Sequence, residues 1–160
     1  MAVRLDFLVF LIIKNFADDN FGYIIGGLEV KVDQYSSIYY QGIEKFFRFN
    51  LEDFTTESLS SWRPYYGPSN YQASREAVSI AFNFADEIYM TTTKNKSVIY
   101  NKSSNTWSDN DGIPQVTFIE GFKSGENIVM VDDKQSPTAY KYNTSSKDTI
   151  SKKLEQLRYL

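Results

Sequence analysis

With 160 residues, 16% of them aromatic (12 Tyr and 12 Phe), the chain suits one β-leaning domain with a sizeable core. Its net charge of −3 leaves no large basic face, so no nucleic-acid partner is expected. Neither Cys nor His occurs, which excludes disulfides, thiolate zinc sites, the Ser/His/Asp triad and imidazole ligation; a non-enzyme is expected, because catalysis would fall to carboxylates, Lys or Tyr.

Met1-Ala2-Val3-Arg4 followed by the apolar Leu5 to Ile13 has the outline of a short signal. Asp6 interrupts it, and Lys14-Asn15-Phe16 is a poor cleavage region, so a buried strand is the preferred reading. The stretch is too short to span a bilayer, and no transmembrane segment is expected. If Met1–Ala17 acts as a signal the protein is secreted; otherwise it is soluble and cytoplasmic.

The run Phe7 to Ile13 ends at the turn-forming Ala17-Asp18-Asp19-Asn20. Tyr23-Ile24-Ile25 precedes Gly26-Gly27, and Leu28 to Val32 alternates with period two, as a strand with one wet face does. Ile38-Tyr39-Tyr40 and Phe46 to Phe49 flank Gln41-Gly42-Ile43-Glu44 and read as a hairpin with Gly in its turn. Leu51 to Trp62 reads as a short outer strand or one helical turn, and Arg63 to Asn70, with two Pro and one Gly, as a connector. Ala73 to Ala77 is helix-compatible but short. Strands are then expected at Val78–Phe82, Ile88–Met90, Ser97–Tyr100, Phe118–Phe122, Ile128–Val131 and Thr138–Tyr142. Asp148 to Leu160 has Ile150, Leu154 and Leu157 at helical spacing behind an N-cap Asp148, so a short C-terminal helix is predicted.

Three segments share one order: Ile38 to Asn50, Ile88 to Asn101 and Ile128 to Asn143. Each is an apolar triplet, a polar or Gly-containing turn, and an aromatic segment closing on Asn. Their starts lie 50 and 40 residues apart, as do Leu28, Val78 and Phe118. The expectation is a single all-β domain (1–160) of stacked units: an N-terminal strand region (1–27) and repeats at 28–77, 78–117 and 118–160.

The string Ile38-Tyr39-Tyr40-Gln41-Gly42-Ile43-Glu44-Lys45-Phe46-Phe47-Arg48-Phe49 resembles the hemopexin-type repeat. Val78 to Phe82 is similar to its opening strand, Gly112-Ile113-Pro114 to its closing Gly-x-Pro, and Asp148 to Leu160 to its terminal helical turn. The resemblance implies a β-propeller, complete or partial, of about three to four blade units. It also implies a structural calcium or sodium ion held by backbone carbonyls in a central channel, with Ser79 and Ile119 at the matching positions. The namesake's haem-ligating histidines and its cysteine bridge are absent from this chain. Kelch-type blades are the rival resemblance, carried by Tyr23-Ile24-Ile25-Gly26-Gly27 and by Tyr100 to Trp107. A β-trefoil is the alternative architecture, since its repeats also run to about 40–50 residues.

Tyr65 and Tyr66, in a Pro/Gly loop, with Trp62 and Trp107, are the candidate ligand-binding residues, suited to stacking on sugar rings or docking a partner. Packing between blades is the competing role for the two Trp. Acidic pairs occur at Asp18-Asp19, Glu52-Asp53 and Asp132-Asp133, and Asp109 stands near Asp111. Held across a sugar, two carboxylates would support a polysaccharide hydrolase, the enzymatic alternative. Asp109-Asn110-Asp111-Gly112 is not an EF-hand loop, because Trp107 falls on the first ligand position. Asn95-Lys96-Ser97, Asn101-Lys102-Ser103 and Asn143-Thr144-Ser145 fit the glycosylation pattern. The function expected is a non-catalytic, hemopexin-like recognition module for a protein, glycan or small ligand, bound by blade loops or at the channel mouth. Incomplete closure would leave strand edges for self-pairing, giving a homodimer.

Overall fold

The computed structural model describes residues 14–17, 20–25, 28–32, 38–42, 45–61 and 78–154. Every regular element in them is a β-strand, and no helix occurs among the described residues. The chain divides into two compact units, Met1–Val78 and Ser79–Leu160.

In the first unit β1 (Lys14–Ala17), β2 (Phe21–Ile25), β5 (Phe46–Asn50) and β6 (Thr56–Ser58) form an antiparallel sheet in the order β1-β2-β5-β6. Between β2 and β5 the chain leaves to build a separate ladder of β3 (Leu28–Val32) with β4 (Ile38–Gly42). The expected hairpin of Ile38–Tyr40 with Phe46–Phe49 is therefore not formed. Gln41 and Gly42 belong to strand β4, paired with Glu29 and Leu28, while β5 lies between β2 and β6. Sequential strands favour their nearest neighbour, and the alternating Leu28–Val32 supplies β4 with one on its N-terminal side. The aromatic β5 then packs on β2: the Tyr23 and Phe46 rings stack at 6.1 Å, both buried. Arg48 sits 4.5 Å from the Phe21 ring centroid and bonds Glu57, its cross-strand partner on β6, at 2.7 and 2.6 Å.

The second unit holds two four-stranded meanders. One runs through β7 (Val78–Phe84), β8 (Glu87–Thr92), β9 (Ser97–Asn101) and β10 (Thr106–Asp109), the other through β11 (Phe118–Ser124), β12 (Asn127–Asp132), β13 (Thr138–Asn143) and β14 (Thr149–Lys153). Along β12, alternation turns Ile128, Met130 and Asp132 inward. Ile128 and Met130 meet Ile80, Tyr89, Phe118 and Tyr142 in one core, where each fully buried apolar side chain is worth about 1.5–3 kcal/mol over its exposed state. Gly121 of β11 lies under this layer; a Cβ there would stand 2.8 Å from the Phe82 ring and 2.9 Å from the Val129 carbonyl oxygen.

The predicted C-terminal helix is replaced by β14. Thr149 to Lys153 pair in register with Tyr142 to Thr138, and the β-branched Thr149 and Ile150 suit that extended backbone. Ile150 is 65% exposed and Leu154 38%, so these two positions of the helical stripe face no core and their spacing decides nothing. Its remaining position, Leu157, lies outside the described residues, as do Phe7–Ile13, Arg63–Asn70 and Ala73–Ala77.

All three four-stranded sheets end their third strand in the same way. Asn50, Asn101 and Asn143 turn their side-chain oxygens back on the following turn, accepting from the N–H groups of Glu52 (2.7 Å), Ser104 (2.9 Å) and Ser145 and Ser146 (3.0 and 2.8 Å). This is the Asx capping that makes Asn a turn former. The residue after each Asn donates its N–H to the tip of the preceding hairpin: Leu51 to Asn20, Lys102 to Asp86 and Thr144 to Glu126, all at 2.9 Å. Four residues past each Asn the backbone enters the left-handed region, at Phe54, Asn105 and Lys147 (φ 58, 54 and 62°).

Candidate functional site

In the second unit a groove of about 340 Å³ opens where the Ala85–Asp86 turn, the end of β9 and the Thr144–Ser145 turn meet. Phe84 and Tyr89 supply rings, Asp86 and Glu87 carboxylates, Asn101 an amide, and Thr144 and Ser145 hydroxyls. The turns just described build it, because the Asp86 and Glu126 carbonyls tie both turn tips to the backbone that follows Asn101 and Asn143.

Glu87 and Tyr89 stand two apart on β8 and so share a face. The Tyr89 hydroxyl donates to Glu87 Oε2 at 2.5 Å, and the Lys147 ammonium donates to the Tyr89 oxygen at 2.6 Å and to Glu87 Oε2 at 3.3 Å. Lys147 reaches them from the left-handed position of its turn, 5.0 Å from the Tyr89 ring centroid. Burial holds the Tyr89 hydroxyl well above its ordinary pKa, and the Glu87 carboxylate adds to the effect. At neutral pH it is a fixed donor, and the ion pair behind it sets the electrostatics of the wall.

The rings below are locked in turn. Tyr89 tilts against Tyr142 at 5.7 Å and meets Phe84 edge-on at 5.5 Å, geometries aromatic pairs favour. The Tyr142 hydroxyl, also held protonated chiefly by burial, donates to Asn110 Oδ1 at 3.3 Å. On the other flank Lys123 sits 4.4 Å from the Phe84 ring centroid and donates to the Asn83 carbonyl.

A second groove, of about 560 Å³, lies beside the corresponding Asn turn of the first unit, lined by Asn20, Phe21, Asn50, Leu51 and Glu52. Next to it Phe54 is 71% exposed in its left-handed conformation.

Of the residues singled out from the sequence, Trp107 is half-buried and packs on Tyr100, its cross-strand partner, with ring centroids 4.9 Å apart. It serves the sheet and forms no wall of the groove. Trp62, Tyr65 and Tyr66 lie outside the described residues. The Ser79 hydroxyl donates to the Phe118 carbonyl oxygen, one residue before Ile119. Among the described residues no group of three or more acidic side chains gathers as a metal site.

One member of each of two acidic pairs, Asp53 and Asp132, has a structural occupation, while Asp18 and Asp19 lie outside the described residues. Asp53 accepts the Thr55 hydroxyl (2.7 Å) and N–H (2.9 Å), bonds that lower its pKa. Asp132 is fully buried; burial opposes its charge, but the Thr138 N–H, Lys134 and the Tyr140 hydroxyl outweigh that and hold its pKa below the ordinary carboxylate range. Two glycosylation-pattern asparagines, Asn101 and Asn143, are the turn-capping residues themselves, and Asn95 accepts the Thr117 hydroxyl at 2.6 Å.

Sequence reasoning missed Glu87, Tyr89 and Lys147. The first two carried a usable signal, an acid and a tyrosine at i and i+2 on one strand; Lys147, 58 residues from Tyr89, carried none. Neither a family model nor any curated protein matches the chain. Among the described residues no helix is long and apolar enough to cross a membrane.

Proposed function

We propose that the chain is a non-catalytic recognition module that binds a glycan or similarly hydroxyl-rich small ligand in the Glu87–Tyr89 groove. The observation that carries this is the groove's chemistry. Two carboxylates, an amide and two hydroxyls stand beside the half-buried ring of Phe84, which the buried Tyr89 backs; polar groups for vicinal hydroxyls next to an aromatic ring for the C–H face are what a sugar requires. For the architecture we infer propeller-type blades, as the hemopexin-like resemblance implies. The reading draws on three four-stranded antiparallel sheets with a shared turn after the third strand.

Glycan-array screening followed by titration calorimetry of the hits tests this. Glu87→Gln is expected to weaken binding by about tenfold or more, the scale of one charge-assisted hydrogen bond, with the fold intact by circular dichroism. If no glycan binds, or binding is indifferent to Glu87, the reading fails. The polysaccharide hydrolase replaces it if a hydrolytic activity is found that Glu87→Gln or Asp86→Asn abolishes.

A second reading, self-association, has its own observation. Phe122 and Ile150, 59% and 65% exposed, end the cross-strand row Phe122–Val129–Lys141–Ile150 on one face of the β11–β14 sheet. A homodimer through this face would bury them. Light scattering distinguishes it: a strict monomer at micromolar concentration excludes the dimer and leaves the glycan reading untouched.

A further inference from the structure

Three adjacent residues in the second unit bury polar atoms that no protein group satisfies: Thr91 Oγ1, Ser97 Oγ and Asn110 Nδ2. All are more than nine-tenths buried, at 3%, 7% and 7% exposure. They form one row. Thr91 and Ser97 are directly opposite across the β8–β9 ladder, and Asn110 extends the β10–β9 ladder by one residue through its N–H bond to the Ser97 carbonyl at 2.9 Å. Opposite residues of an antiparallel pair project to the same face with Cβ atoms about 5 Å apart. That face is the one carrying Tyr89, two residues before Thr91, into the core.

The orientation of Asn110 is fixed by its other end. Its Oδ1 accepts from the Gly112 N–H at 3.1 Å and from the Tyr142 hydroxyl at 3.3 Å, so the NH₂ must be the group left facing the row. A donor amide there rejects a metal cation. An anion would be buried among neutral groups, with its charge unpaired. The remaining chemistry is a neutral molecule that both accepts and donates.

We propose that ordered water occupies this row, accepting from Asn110 Nδ2 and bridging the Thr91 and Ser97 hydroxyls. Buried water with two to four polar partners is a normal structural component. Left bare, each of the three groups would carry the penalty of an unmade hydrogen bond in the interior. The water thereby joins β8, β9 and β10 at the end of the sheet remote from the Glu87 groove, and the inference is independent of any ligand bound there.

Near-isosteric substitution gives the test a sign. If water is bound, Thr91→Val removes one of its partners and shifts the folding equilibrium roughly fivefold towards the unfolded state. Ser97→Ala does the same, and the double variant loses less than the product of the two because both remove one shared molecule. A Thr91→Val protein more stable than the parent would mean the hydroxyl was bare and would overturn the proposal; so would independent, multiplicative effects. Water-to-amide cross-relaxation in the unsubstituted protein supplies the second readout, with a long-lived contact expected at the Ser97, Asn110 and Gly112 amides and its absence counting against us. A melting temperature that rises with chloride at constant ionic strength would reassign the site to an anion.

Discussion

The Phe49 ring lies over Gly22, its partner across the β2–β5 ladder, and fills the space a side chain at that position would occupy. A Cβ there would overlap the ring, so the aromatic residue and the glycine act as one packing unit. Gly22→Ala must displace Phe49 and is expected to cost about 1–3 kcal/mol, the usual range for overpacking. Urea denaturation of the variant checks this, and pairing it with Phe49→Leu, which vacates the space, is expected to recover part of the loss.

Phe54 predicts the opposite sign. A bulky exposed residue at φ 58° is strained by about 1–2 kcal/mol relative to Gly. Phe54→Gly is expected to stabilise the protein by about 1 kcal/mol, somewhat offset by the freer unfolded chain. If the melting temperature falls instead, the ring makes contacts that outweigh its backbone strain.

The three turn-capping asparagines form a natural series. Asn50→Ala, Asn101→Ala and Asn143→Ala each remove the side-chain acceptor of one turn, at about 1 kcal/mol apiece. Their caps share no partner, so the losses are expected to add. Thermal or chemical unfolding of the single and triple variants would measure it.

Two buried titrations bracket the stability profile. Asp132 takes its proton near pH 4 when unfolded and at lower pH when folded. Its contribution is full above about pH 4 and is lost as pH falls through the folded value, so Asp132→Asn is expected to flatten the acid limb of a stability–pH curve. Tyr89 behaves in reverse: its folded pKa is raised, so the contribution is full below about pH 10 and declines as pH rises further. Ultraviolet titration should show Tyr89 resisting ionisation until the protein unfolds, and Tyr89→Phe should weaken the alkaline dependence.

The second unit was largely legible because its strands follow one another along the chain. Val78–Phe84, Glu87–Thr92 and Ser97–Asn101 are joined by short turns, so the order of apolar runs in sequence is their order in the sheet. The closing Asn of each aromatic segment was visible as a recurrence, though its hydrogen bonds were not. In the first unit the same reasoning failed at Ile38-Tyr39-Tyr40. This triplet matches Ile88-Tyr89-Met90 as a string but occupies β4, whereas the strand joined to β5 is β2. Hydrophobic pattern identifies a strand; it does not identify its partner. The groove was illegible for a related reason, since Glu87 meets Lys147 only after two meanders have folded.

The excursion through β3 and β4 also has a kinetic side. Joining β2 to β5 brings Phe21 opposite Asn50, a separation of 29 residues, whereas the β8–β9 ladder closes between Glu87 and Asn101, 14 apart. Doubling a loop adds only about 0.6 kcal/mol of closure entropy, but non-local pairing slows the search for the native state far more than it lowers stability. The Asn50 sheet is therefore expected to form after the β8–β9 ladder, and in pulse-labelled hydrogen exchange the β2 and β5 amides should gain protection after those of β8 and β9.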